Sequence, residues 1–207
     1  MKIDKAHIKT FPVMNADGRE KRKLLVIGRA QKLQVFRKNK INISNLHITY
    51  QFNKKARIMS GLWYDFLCTL NEEIRIKRRN ITLLSDNCLS YPHPNSLPEN
   101  YEGSTPPFLT NKTLIYLSLN TTSHLQPLDQ GIIVSFMSVY CQQYANFIVR
   151  YLNTNYQSPP NLDILSAIYL IADTWEAIPA SKIKKFWKRS GLIGAAFPLS
   201  INPILHN

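Results

Sequence analysis

The spacing of apolar side chains changes along the chain, and this change most constrains the fold. In the first 120 residues they mostly form short runs, such as 24–28 and 81–85, which are typical of β-strands, with one stretch of helical spacing at 60–74 between them. From Leu128 onwards they recur at the spacing of an amphipathic helix. Strands followed by helices predict a mixed α/β domain whose sheet is covered on at least one face.

Individual elements follow from these runs and from the turn residues between them. Two apolar runs on either side of the turn Asn15–Gly18 predict a hairpin. Ser60 is the expected N-cap of the first helix. The expected strands are 8–14, 24–28, 47–52, 81–86 and 113–119. The expected helices are 60–74, 128–151, 162–176 and 181–188.

Two of these helices carry long apolar stripes, which are more typical of a packed core than of a cofactor site. The stripe of the first helix comprises Leu62, Trp63, Phe66, Leu67, Leu70 and Ile74. That of the second comprises Ile132, Ile133, Phe136, Val139, Tyr140, Tyr144, Phe147, Ile148 and Tyr151. We expect both stripes to face the protein interior.

Net charge separates the chain into two parts. The whole chain has 26 basic and 13 acidic side chains, a net charge of +13. Residues 1–80 hold 19 basic and 6 acidic side chains, whereas residues 81–207 hold seven of each. A basic first third predicts contact with a polyanion such as nucleic acid. A membrane-surface helix is not expected, because the basic residues do not line one face opposite an apolar stripe.

Several protein classes are excluded by what the sequence lacks. No stretch approaches eighteen uninterrupted apolar residues, and the first residues include no apolar segment of a signal peptide. Cys68, Cys88 and Cys141 form no CxxC pair, which argues against a zinc ribbon and a secreted disulfide framework. We therefore expect a soluble intracellular protein without a membrane partner.

Two aspartates occupy positions where catalytic groups are common. Asp86 follows the run 81–85, and Asp129 lies at the start of the long helix. If strands 81–86 and 113–119 are neighbours, the two carboxylates could share a divalent cation, since like charges at short range otherwise repel. Mg²⁺ suits such a pair and takes its remaining ligands from water and phosphate. The alternative is that an aspartate at a strand end only forms a turn.

Two sequence blocks resemble one known family. Arg79–Cys88 is similar to the second-aspartate block of the DDE-superfamily endonucleases, in the branch of the Tigger, pogo and jerky transposases. Tyr116–Ile133, which contains His124-Leu125-Gln126-Pro127-Leu128-Asp129, resembles the third-aspartate block. The resemblance implies a ribonuclease H-like mixed sheet flanked by helices, with Asp86 and Asp129 as catalytic ligands of Mg²⁺ or Mn²⁺. It also implies DNA as the partner and a nuclear location.

The chain departs from this family in two respects. The family's first catalytic aspartate lies on an initial strand, which we expect to be missing here, so that residues 1–155 form an incomplete core and residues 156–207 a helical extension. The family usually has histidine five residues after the second aspartate, where this chain has Tyr91, with His93 two residues further. These departures favour a nucleic-acid-binding domain without catalytic activity as it stands.

Two alternatives to that reading stay open. One is an active endonuclease or transposase whose N-terminal segment is absent from this sequence. The other is a non-catalytic, DNA-associated chromatin protein. The sequence contains no glycine-rich phosphate loop, and no small-molecule substrate is expected.

The segment after the third expected strand offers candidate contacts to a DNA backbone. Lys54, Lys55 and Arg57 follow one another closely in a predicted loop. Basic side chains on a loop can neutralise phosphates and release counterions. A solvated loop with no ligand is the alternative.

Overall fold

The computed structural model describes residues 8–31, 33–88, 91–95, 97, 105–117, 125–155 and 162–192. The strands are β1 (Lys9–Phe11), β2 (Leu24–Gly28), β3 (Ile48–Phe52), β4 (Ile81–Ser85) and β5 (Lys112–Tyr116). The helices are α1 (Gln34–Lys38), α2 (Ser60–Ile76), α3 (Ile133–Asn155), α4 (Ile164–Ala177) and α5 (Ala180–Arg189). The predicted mixed α/β class is confirmed. The chain divides into two compact units, Met1–Arg57 with Pro127–Ala195 and Ile58–Gln126 with Ala196–Asn207.

In the first unit, β2 is the central strand of a three-stranded sheet. It pairs antiparallel with β1 and parallel with β3, in the order β1-β2-β3. Four of its five residues are buried, which a continuous apolar run allows. In β3 only Ile48 and Tyr50 are buried, as the two-residue period of a strand requires. The β1–β2 pairing confirms the predicted hairpin.

The core of the first unit combines this sheet with the helices that follow α3. Asp163 caps α4 by accepting a hydrogen bond from the Ser166 amide at 2.8 Å. The indole of Trp175 is buried, and its Nε1 donates to the Arg22 carbonyl at 2.9 Å, which ties α4 to the segment before β2. The buried cluster is made of Leu24, Val26, Phe36, Leu46, Ile48, Tyr50, Ile132, Ile168, Ile171, Ala172, Trp175, Ile178 and Ile183.

Lys21 stabilises the C-terminal end of α4. Its ammonium group donates to the carbonyls of Trp175 and Glu176, each at 2.8 Å, and of Ile178 at 3.0 Å. Carbonyls at a helix end lack partners within the helix, and a cation there is favourable. The ammonium also lies 5.7 Å from the centre of the Trp175 ring. Burial lowers the pKa of Lys21, and the charge of Glu176 opposes this shift.

The second unit joins α2 to a two-stranded parallel sheet, β4-β5. The buried Asn71 side chain on α2 accepts hydrogen bonds from the amides of Thr110 at 3.2 Å and Asn111 at 3.3 Å. Buried Lys112, the first residue of β5, donates to the Leu67 carbonyl. These bonds satisfy the buried polar groups and fix α2 against the start of β5.

Most of the predicted elements are present, and the differences have local causes. The bounds of β2 are confirmed, and the α2 stripe is buried or half-buried as expected. Strand β4 ends at Ser85, one residue before its predicted end at Asp86. Met59 rather than Ser60 is the N-cap of α2, and no side chain caps it. The α3 stripe is the less exposed side of that helix, except that Ile133 is 45% exposed.

Three sequence-based expectations about architecture meet mixed outcomes. The run 81–85 was expected to be a buried central strand, but β4 is half-buried and pairs only with β5 among the described residues. The ribonuclease H-like arrangement of one mixed sheet stays a prediction. So does the boundary at residue 155, although α4 and α5 supply buried side chains to the first unit.

One segment is long and apolar enough to cross a membrane by length and composition alone. It runs from Leu128 to Thr154, and 11% of its most apolar window is buried. A single helix of this kind is weak evidence for a membrane span, because helices of soluble proteins pass the same test. The expectation that no membrane is involved therefore stays a prediction.

Replacing Lys21 by methionine should destabilise the first unit by about 2–3 kcal/mol, because three carbonyls lose a charged donor while the apolar stem is kept. Urea unfolding followed by tryptophan fluorescence measures this. Lys38→Met is the matched control, since Lys38 is exposed, and it should change the free energy of unfolding by less than about 0.5 kcal/mol. Equal stabilities of the two variants would contradict this account of Lys21.

Candidate metal and nucleic-acid site

The parallel pairing of β4 and β5 positions Asp86. Ser85 is in register with Tyr116, and the Leu117 amide donates to the Ser85 carbonyl at 2.9 Å. The carboxyl ends of both strands therefore lie at one edge, where Asp86 follows β4 directly. The condition stated from the sequence, that these two strands are neighbours, is confirmed.

Two tyrosines, Tyr91 and Tyr116, lie near half-buried Asp86. Burial, followed by the charges of Asp86 and Cys88, raises the pKa of Tyr91 to about 12. Burial also raises the pKa of Tyr116, and the charge of Asp86 adds to this shift. The ring of Tyr91 lies 5.0 Å from that of Trp63 on α2. Both phenols consequently stay neutral at physiological pH.

His93 belongs to the same aromatic cluster. Its ring lies 5.7 Å from the ring of Tyr116, and its Nδ1 accepts a hydrogen bond from the Asn95 amide at 3.1 Å. Burial lowers the pKa of His93, which favours the neutral ring that this hydrogen bond requires. Tyr91 and His93 were noted in the sequence only for their distance from Asp86 along the chain.

Asp129 lies in a wide helical turn, Leu128–Ile132, immediately before α3. The turn is possible because Gly131 adopts φ 146° and ψ −1°, a conformation that side chains rarely tolerate. A Cβ atom at Gly131 would overlap the aromatic ring of Phe186 on α5. The backbone beside Asp129 is therefore held directly against α5. The predicted place of Asp129 at the helix start is confirmed.

The surroundings of Asp129 disfavour its charge slightly. Partial burial raises the pKa of its carboxyl above the ordinary value, although the residue as a whole is exposed. The favourable effect expected from a helix N-terminus does not dominate, since the wide turn replaces a regular first turn. A bound divalent cation would act in the opposite direction and stabilise the carboxylate.

The two aspartates fit Mg²⁺ or Mn²⁺ by donor type, because carboxylate oxygens are the hard ligands that these ions prefer. Within the described ranges, no three His, Cys, Asp or Glu side chains lie together as a ready-made metal site. Asp86 belongs to the second unit and Asp129 to the first. Their sharing of one cation stays a prediction.

Lys54, Lys55 and Arg57 lie on an ordered loop directly after β3. The Asn53 side chain organises it: Oδ1 accepts hydrogen bonds from the amides of Lys55 at 3.1 Å and Arg57 at 3.3 Å, and Nδ2 donates to the Arg57 carbonyl. Ala56 in the middle of the loop is buried and has φ 46°. All three basic side chains are exposed. The loop thus presents them to solvent on a fixed backbone.

Helix α5 carries a basic face that sequence reasoning missed. Five of its ten residues are exposed lysines or arginines: Lys182, Lys184, Lys185, Lys188 and Arg189. Its opposite side is apolar and packs into the core. The statement that no basic residues line one face opposite an apolar stripe is therefore wrong for α5. A helical wheel of residues 180–189 would have revealed it.

Comparison with known proteins agrees with this geometry. Residues 5–187 match the family described as the DDE superfamily endonucleases, a range that includes both Asp86 and Asp129. Because this match covers most of the chain, the protein belongs to the DDE superfamily endonuclease family. The resemblance seen in the two aspartate blocks is confirmed.

The curated relatives come from the same transposase-related group. The chain is 26% identical to CENP-B homolog protein 2 of Schizosaccharomyces pombe, over 95% of this chain and 37% of the relative. It is also 26% identical to ARS-binding protein 1 of that yeast, over 92% of this chain and 35% of the relative. It is 21% identical to Tigger transposable element-derived protein 4 of Mus musculus, over 86% of this chain and 31% of the relative. The chain thus spans about a third of the length of these relatives, and no solved structure matches it.

Gly131→Ala should destabilise the first unit by about 2–4 kcal/mol, because the added methyl group meets the Phe186 ring and the backbone is strained. Gly191→Ala is the matched control: Gly191 also has positive φ, but nothing lies within 4 Å of its added Cβ. It should cost only about 1 kcal/mol. Urea unfolding of both variants measures the difference. Equal losses would show that the Phe186 contact does not constrain the Asp129 turn.

Proposed function

We propose that this chain is a transposase-derived DDE domain that binds DNA and holds Mg²⁺ or Mn²⁺ through Asp86 and Asp129. The observation that carries the proposal is the family match across residues 5–187, which spans both aspartates. The position of Asp86 at the carboxyl edge of β4 and β5 supports it, since metal-dependent sites are commonly built at such edges.

The chemistry of the site follows from its donors. When bound, a divalent cation would lower the pKa of a coordinated water and neutralise phosphate oxygens. Asp86 and Asp129 would supply anionic oxygen ligands to it. Tyr91 and Tyr116 are partly buried and lie close enough to Asp86 to interact with its charge. As neutral groups they would lower the effective dielectric constant around Asp86 and strengthen its attraction for a cation.

We further propose that residues 1–207 alone do not cut DNA. A two-ion arrangement on a scissile phosphate needs a third carboxylate to position both ions. In the described part of the chain no third acidic group accompanies either aspartate closely enough to form a metal cluster. The loss of one carboxylate ligand removes both the positioning of the metal ions on the phosphate and the electrostatic stabilisation of the transition state.

Two alternatives make different use of the same fold. In the first, the domain is an active endonuclease or transposase, with the third carboxylate supplied from outside these 207 residues. The much greater length of the relatives favours keeping this possibility. In the second, the domain is a non-catalytic chromatin protein. The name of one relative, an ARS-binding protein, favours DNA association of this kind. A nuclear location is part of both.

We expect no metal-dependent nicking of supercoiled plasmid by residues 1–207, with Mg²⁺ or Mn²⁺. The assay measures conversion of supercoiled to open-circular plasmid on a gel. Asp86→Ala is the control for contaminating nucleases, because it removes a metal ligand and leaves the sheet in place. Nicking by the unaltered chain that disappears in Asp86→Ala would show that this chain completes its own site and would favour the active enzyme.

The chain should bind DNA without sequence preference, and its affinity should fall steeply as salt rises. Changing Lys54, Lys55 and Arg57 together to glutamine should weaken binding and reduce the slope of log affinity against log salt by about 2–3. Fluorescence anisotropy with a labelled duplex measures both quantities.

Asn53→Ala is the matched control for this loop, since it keeps all three charges but removes the hydrogen bonds that order them. It should weaken binding less than the triple change does. Salt-independent binding, or no binding at low salt, would contradict a functional basic surface.

A further inference from the structure

The distribution of charge after residue 80 is far from even. Residues 81–207 contain seven basic side chains, and five of these lie in the ten residues of α5. All five are exposed. The neutral total of this part of the chain therefore conceals a short helix with a strong positive charge.

The five cations form one continuous face. At about 100° per residue, Lys184, Lys188, Lys185, Arg189 and Lys182 follow one another around the helix within an arc of roughly 160°. Ile183, Phe186 and Trp187 occupy the opposite side. From Lys182 to Arg189 this face is about 10 Å long, which corresponds to about three phosphates along the axis of one DNA strand.

Helix stability does not account for this pattern. Lys188 and Arg189 in the last turn are favoured by the helix dipole, but Lys182 in the first turn is not. The first turn contains no acidic residue, and no ion pair is recorded for any of the five within the described residues. Lys184 with Lys188 and Lys185 with Arg189 are like-charge pairs four residues apart, which repel one another.

The apolar face of α5 is already occupied. Ile183 is fully buried in the core cluster, and Phe186 and Trp187 pack against that cluster. A helix that binds a membrane surface must insert its apolar face among lipid chains. Because the fold uses this face for its own core, only the cationic face of α5 is available to a partner.

The same helix touches the backbone that carries Asp129. The Phe186 ring lies against Gly131, two residues after Asp129. One side of α5 therefore supports the turn of a proposed metal ligand, while its other side presents five cations. A rigid helix fixed in this way holds its charges at a constant distance from that turn.

We infer that the cationic face of α5 contacts the phosphate backbone of DNA and aligns the strand with the Asp129 turn. The inference rests on the proposed DNA-binding function and adds a surface separate from the Lys54–Arg57 loop. Each neutralised phosphate releases counterions, so the contact supplies affinity without sequence preference.

The test compares two triple variants of the 207-residue chain. Lys184→Gln, Lys185→Gln and Lys188→Gln together should weaken binding to a labelled duplex about ten-fold at low salt and lower the salt slope by about 2–3. Arg37→Gln, Lys38→Gln and Lys40→Gln remove the same charge from exposed positions of the same unit. That control should weaken binding less than about two-fold. Thermal unfolding of both variants should match the unaltered chain, because every changed side chain is exposed.

Each outcome separates this inference from the function on which it rests. If the unaltered chain does not bind DNA at low salt, the proposed function and this inference both fail. If it binds and the α5 variant binds equally well, or if both variants lose affinity equally, only the inference fails. Vesicles of phosphatidylserine and phosphatidylcholine complete the test. Loss of vesicle binding in the α5 variant, with DNA binding unchanged, would assign this face to a membrane surface instead.

Discussion

The close approach of α5 to two glycines is the constraint on which the Asp129 turn depends. A Cβ atom at Gly18 would lie 2.7 Å from the Cα atom of Ala180, and one at Gly131 would meet the Phe186 ring. Both glycines also have positive φ. Glycine is therefore favoured at these positions by the backbone conformation as well as by the close contacts. The two contacts join the β1–β2 turn, the start of α3 and α5, which are far apart in sequence. Once α5 is seated, the backbone around Asp129 has little freedom to adopt another conformation.

The fold was predictable from sequence where local pattern and tertiary environment agree. Leu24–Gly28 is an apolar run between polar residues, and it is a strand with the expected bounds. Ile81–Ser85 is likewise a strand, which ends one residue before the expected Asp86. Helix α1 was not predicted, because its five residues are too few to show a helical period in the sequence. Its Phe36 is buried because its ring meets Tyr50 edge-on at 5.4 Å, a contact that no local pattern encodes. Ser60 suggested a cap by residue type, yet Met59 takes that position.

The candidate site was predictable to a similar degree. Asp86 and Asp129 were found because a strand end and a helix start are visible in the sequence. The proximity of Tyr116 to Asp86 was not predictable, since it depends on the parallel register of β4 and β5. The basic face of α5 was missed for a different reason: charge was summed over 127 residues, and the sum cancelled. Electrostatic attraction acts over about a Debye length of 10 Å, so charge is informative only when counted over comparable distances.

The two faces of α5 perform separable physical tasks. Ile183 and Phe186 stabilise the fold by burial and contact, which do not depend on salt concentration in the way that exposed charges do. Lys184, Lys185 and Lys188 are exposed and contribute little to stability, and their mutual repulsion opposes it. Natural sequences keep unfavourable local features mainly where function requires them. Because the helix is anchored by its apolar side, a polyanion that neutralises its basic side would relieve this repulsion without moving the Asp129 turn. Binding at α5 would then stabilise the same unit that holds the proposed metal ligand, since any ligand that prefers the folded state has this effect.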